Sequence, residues 1–71
     1  MNKTFLFTLF GYRNGSWTCL RQCSHVDAKQ KRRLVRLAKQ FGYKYVSSYH
    51  AYVQVSEDCL VSKIAYFTEE Q

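Results

Sequence analysis

The residues best suited to chemistry are few, and the first to weigh are thiols and imidazoles: Cys19-x3-Cys23-x-His25, with His50 or Cys59 as a further donor. Sulfur and nitrogen donors at short spacing are what a zinc ion takes, but structural zinc sites use two such short pairs and one alone stands here. In an extended segment Cys19 and Cys23 would point to one side about 13 Å apart, four residues of strand rise, too far to share an ion. Small apolar thiols packed in the interior are the preferred reading, and neither a metal nor another cofactor is expected. Three cysteines cannot complete a disulfide framework, which fits reduced thiols in a cytoplasmic protein.

Acid–base chemistry has little to draw on. Of the five acidic residues, Glu57 and Asp58 sit in a polar turn and Glu69 and Glu70 in a polar tail, leaving Asp27 near His25. That pair suits a helix start better than catalysis. There is no glycine-rich phosphate loop, no paired carboxylate to hold a catalytic metal and no Ser/His/Asp set, so a non-enzymatic protein is expected.

What remains is charge. Eleven Lys and Arg stand against five Asp and Glu, a net +6 on 71 residues, which favours polyanions or acidic protein surfaces as partners. At 100° per residue, Lys29, Arg32, Arg33, Arg36 and Lys39 share an arc of about 120° opposite Leu34. Lys29/Arg33 and Arg32/Arg36 are like-charge pairs at i, i+4, each costing a few tenths of a kcal/mol. A solvated helix face accounts for such a run with no partner at all. A polyanion accounts for it as well, because forked Arg donors match phosphate oxygens. The expected function is a small basic interaction protein that binds nucleic acid or a nucleic-acid-handling complex through these five residues.

The elements that position them follow from local pattern. Phe5, Phe7 and Leu9 alternate within a β-compatible run over residues 3–12, and Asn14-Gly15 supplies a type I′ turn into a second strand over 17–22. The apolar N-terminal run is too short to span a membrane and no small-x-small cleavage site follows it, so it reads as a strand rather than a signal. Ser24-x-x-Asp27 has capping-box spacing, predicting a helix over about 25–41 closed by Gly42. Leu34, Leu37, Ala38 and Phe41 form its apolar stripe, extended by Val26 and Gln30. A long strand over 43–55, bulged near Ser47-Ser48, and a last strand over 59–67 lead to a tail at 68–71.

The predicted fold is therefore one α+β domain over 1–71, β-β-α-β-β, a four-stranded, mainly antiparallel sheet with one amphipathic helix on one face. With Phe5, Phe7 and Leu9 turned to the helix, Leu6, Phe10 and Tyr12 turn away, joined by Val46, His50 and Tyr52. Phe10, Tyr12, His50 and Tyr52 are the candidate interface on that open face, for a second copy, a protein target or stacked bases. This supports the alternative function: a protein-binding inhibitor or antitoxin-like protein, such as a phage or other mobile element encodes, that blocks a host enzyme through its sheet.

Overall fold

The computed structural model describes residues 3–58 and 60–70. Among them the chain is α+β, with one helix and a five-stranded antiparallel sheet: β1 (Phe5–Arg13), β2 (Ser16–Val26), α1 (Ala28–Gln40), β3 (Lys44–Val46), β4 (Ala51–Val55) and β5 (Val61–Glu69). The sheet order is β2-β1-β5-β4-β3. The helix thus leaves one edge strand and returns to the other, crossing one face of the sheet on its way.

The fifth strand corrects the expected four. The run 43–55 is not one strand but a hairpin, broken at residues 47–50, where Tyr49 and His50 donate backbone hydrogen bonds to the carbonyls of Val46 and Ser47, both 3.1 Å. His50 has φ +51 and cannot continue a strand. Length supplies the reason: thirteen extended residues would reach about 44 Å, half as long again as β1 or β5, leaving much of the strand unpaired. Folding back lets both halves find partners.

The first hairpin turns at Asn14 and Gly15, with φ of 51° and 82°, the two left-handed residues of a type I′ turn. β2 then runs to Val26, which pairs with Phe5, so Ser24 belongs to the strand and the helix starts later than residue 25. The N-cap is Asp27 instead. Its Oδ1 accepts from the Gln30 backbone N–H at 2.8 Å, and Gln30 Oε1 accepts from the Asp27 N–H at 3.1 Å, a complete capping box one turn beyond the predicted one. At the far end Tyr43 donates to the Ala38 carbonyl and Gly42 (φ +85) to that of Lys39, the paired bonds of a Schellman motif. Gln54 Nε2 satisfies one more orphan carbonyl, that of Phe41, at 2.7 Å, tying the helix end to β4.

β5 runs to Glu69 where a free tail was expected from 68, and Glu70 is held as well: its N–H donates to the Thr4 carbonyl and its Oε1 accepts from the His25 N–H, both 2.9 Å. β2 carries two register shifts against β1. One inserts Leu20, so that Cys19 pairs with Phe10 while Cys23 pairs with Phe7. The extra residue reverses parity. The two thiols therefore lie on opposite faces of the sheet, against the expectation of one shared side, and Cys19 is exposed rather than packed. Cys59, also read as a packed thiol, lies outside the described residues.

The core is made of small side chains. Val26, Ala51, Val53 and Ala65 are the buried apolar residues, and no helix residue is fully buried. Geometry explains this. A helix is about 10 Å across whereas five strands span about 19 Å edge to edge, so α1 shields roughly half of one face, and Ala51 and Val53 are buried on the other face without it. No helix among the described residues is long and apolar enough to cross a membrane.

Candidate functional site

On the helix-facing side of the sheet the register runs Tyr45, Tyr52, Ala65, Leu9, Arg21 from one edge to the other. α1 lies over the middle of this row, where Leu9 and Ala65 share a cleft with Leu34, Leu37 and Ala38. Tyr43 borders that cleft, and burial pushes its phenol above the ordinary tyrosine range. The two ends of the row lie beyond the helix, so a groove opens along each of its flanks.

The five predicted cations, Lys29, Arg32, Arg33, Arg36 and Lys39, are all exposed on α1. Among the described residues the one ion pair is Lys3–Glu69, 3.5 Å, which involves none of the five. The first turn of the helix holds no acidic residue, and Asp27 is occupied as the cap. The cluster is therefore not neutralised from within.

Two further cations, Arg21 and Lys31, join the cluster at the two flanks of the helix. Arg33 faces β2 across a groove of about 290 Å³, with Arg21, His25 and Gln30 also on its walls. Arg21 was not among the predicted residues: the Leu20 insertion that turns it toward the helix is a pairing feature with no local signature. On the opposite flank Lys31 reaches over the aromatic floor, its Nζ 4.2 Å from the Phe5 ring centroid and 5.4 Å from that of Phe67, both within cation–π range. Lys31 also escaped prediction, although its place on the apolar side of the helical wheel, beside Leu34 and Ala38, set it apart from the solvated cations.

That second groove, about 320 Å³, is lined by Lys31, Tyr45, His50, Tyr52, Tyr66 and Phe67. It corrects two assignments. Tyr52 pairs with Ala65, on the helix side, rather than facing away, and His50 belongs to the β3–β4 turn rather than to a strand face. The slip arose because a break at residues 47–50 resets the alternation counted from Tyr43. Tyr45 and Tyr52 lie 5.0 Å apart centroid to centroid, and Tyr45 is 53% exposed.

The other face of the sheet carries Leu6, Thr8, Phe10 and Tyr12 from β1, Trp17 and Cys19 from β2, Ile64 and Tyr66 from β5, Val53 and Val55 from β4, and Val46 from β3. Phe10 and Tyr12 are thus where they were expected. Phe10 stacks near Tyr66 at 6.3 Å and Tyr12 meets Trp17 edge-on at 5.4 Å. Thr8, roofed by its neighbours to 2% exposure, has its hydroxyl bonded by Gln22 Nε2 at 3.5 Å. At one end Tyr12, Trp17, Leu60 and Val61 enclose a shallow apolar hollow. Of the strand residues that register assigns to this face, Lys44 alone is charged.

The imidazole and thiols of the N-terminal half are dispersed. His25 Nδ1 sits 3.1 Å from Ser24 Oγ, and no three of the described His, Cys, Asp and Glu side chains converge on a common point. Compared with known proteins, the chain matches no family model, no curated protein and no solved structure.

Proposed function

We propose that this protein binds nucleic acid through the cationic surface of α1, acting by contact rather than by catalysis. The observation that carries the reading is the helix itself: Lys29, Arg32, Arg33, Arg36 and Lys39 are exposed together, and the described ion pair lies elsewhere. Like-charge pairs at i, i+4 cost a few tenths of a kcal/mol each in the free protein, and a row of phosphates would remove that cost on binding. The thirteen helical residues extend about 20 Å, long enough to follow several successive phosphates. Arg21 continues the positive surface onto β2, across the groove from Arg33.

Binding of a labelled oligonucleotide, followed by anisotropy, tests this. The wild-type chain should bind at low salt. Arg32→Glu with Arg36→Glu should weaken binding by an order of magnitude or more, since each reversal replaces an attraction with a repulsion. Equal affinity in both proteins would return these side chains to the role of a solvated face.

A second reading, a protein contact made by the open sheet face, is favoured by the near absence of charge there and by the exposure of Tyr12, Trp17 and Leu60. Apolar surface of this kind gains from being covered. A second copy of this chain or a target protein would serve, including an enzyme held inactive by the contact. Such a partner is compatible with nucleic acid on the helix side, because the two surfaces lie on opposite faces of one sheet.

A further inference from the structure

The polyanion reading leaves open which form of nucleic acid is bound, and the flank of α1 facing β3 and β4 bears on that. Three features meet there. The first is a pair of tyrosines, Tyr45 and Tyr52, side by side at the sheet edge and beyond the cover of the helix, with Tyr45 half exposed. The second is Lys31, fixed at the inner wall of the same groove by its placement over Phe5 and Phe67. The third is the helical repeat. Lys31 marks the flank toward Tyr45 and Tyr52 while Arg33 marks the flank toward β2. At 100° per residue Lys39 lies about 80° from Lys31 and about 120° from Arg33, on the side of Lys31, whereas Arg32 stands midway between the two flanks.

Cations beside exposed π-faces are the two components of a single-strand groove, the charges tracking the backbone and the rings taking bases. A duplex could use the cations but not the rings, since its base faces are already stacked on one another. The open sheet face has more aromatic surface but, apart from Lys44, no strand cation to hold phosphates. Only the helix flank combines both.

We propose that the groove between α1 and the β3–β4 hairpin binds single-stranded nucleic acid, with a base stacked on Tyr45 and Tyr52 and the flanking phosphates held by Lys31 and Lys39. The proposal rests on the nucleic-acid reading above and narrows it to one strand. His50, at the rim of the groove, is placed to donate a hydrogen bond to a base edge or a phosphate. The shared chemistry of unstacked base and phosphodiester is common to DNA and RNA.

The test uses the full chain with labelled oligothymidylate and oligouridylate of roughly twenty nucleotides, and a duplex of the same length. Single strands should bind at least about tenfold more tightly than the duplex. Tyr45→Ala should weaken single-strand binding about tenfold, Tyr45→Phe should retain it, and neither should alter duplex binding, because stacking needs the ring and not the hydroxyl. The thymidylate and uridylate arms separate DNA from RNA. Photo-crosslinking of the wild-type chain to an oligonucleotide containing iodouridine removes any dependence on a folded variant: the adduct should form on Tyr45 or Tyr52. An adduct on Tyr12 or Trp17, a duplex preference, or unchanged single-strand affinity in Tyr45→Ala overturns the proposal and leaves the broader reading standing. If the wild-type chain binds neither strand form, both fall together.

Discussion

Leu20 occupies the space that Gly11 leaves empty: a Cβ on Gly11 would stand 2.6 Å from Leu20 Cδ1 and 3.1 Å from its Cγ. The contact exists because Leu20 is the inserted residue of the β2 bulge, and the same insertion puts Cys19 and Cys23 on opposite faces and turns Arg21 toward α1. Gly11→Ala should therefore cost about 1–2 kcal/mol, the order expected of overpacking at a tight contact. In a Leu20→Ala background the penalty should vanish. Denaturant melts of the four proteins of this cycle measure the coupling, and additive effects would mean that the bulge does not press on β1.

The helix start offers a second test. Asp27→Ala removes the acceptor for the Gln30 N–H and should cost about 1 kcal/mol, whereas Ser24→Ala, at the position that sequence spacing favoured, should cost less because Ser24 lies in β2. The reverse order in thermal melts would place the cap at Ser24.

Tyr43 links pH to stability. Burial raises its phenol in the folded state, so the unfolded chain gives up that proton first as pH rises. The native state then binds more protons than the unfolded one, and stability must fall with rising pH. The contribution is fully present below the ordinary tyrosine value of about 10 and is lost as pH climbs through the folded value. Tyr43→Phe should show a shallower alkaline loss than the wild-type chain when melts are compared at pH 8 to 11, roughly spanning that range. Identical alkaline limbs would contradict the assignment.

The open face should self-associate or take a protein partner. Trp17 and Leu60 stand at its edge, 44% and 67% exposed, around one apolar hollow. If a second copy covers that face, sedimentation at micromolar concentration should detect a dimer, and Trp17→Arg should shift the population to monomer without lowering the melting temperature of the monomer. A wild-type monomer at those concentrations would leave a different protein as the occupant.

Elements that rest on local chemistry were legible in the sequence. Asn14-Gly15 specifies its turn by tolerance of positive φ, Gly42 closes the helix for the same reason, and the spacing of Leu34, Leu37 and Ala38 marks the side that meets the sheet. The basic surface was legible too, because helical period alone groups its five residues. Features decided by pairing were not. The capping box forms at Asp27 and Gln30 rather than at the predicted Ser24-x-x-Asp27, because the pairing of Val26 with Phe5 keeps Ser24 in β2. The break at residues 47–50 and the insertion at Leu20 each shift alternation by a residue or more, which reassigns Tyr52 and Arg21 to the helix side. A one-residue change of register moves a side chain through the sheet, so faces counted along a strand hold only as far as the next irregularity.

The salt dependence of nucleic-acid binding tests the central claim most directly, because it counts phosphates rather than inferring them. Each phosphate neutralised contributes a slope of roughly −0.7 to −0.9 in log K against log salt, so engagement of most of the helix cations should give about −3 or steeper. Arg32→Glu with Arg36→Glu should make the slope shallower by about 1.5 while leaving the melting temperature unchanged or raised, since the two reversed charges repel each other as the originals did but gain opposite charges at i±3, Lys29 for position 32 and Arg33 and Lys39 for position 36. A wild-type slope near zero, or one that the two reversals leave unchanged, would contradict the assignment of α1 as the nucleic-acid surface.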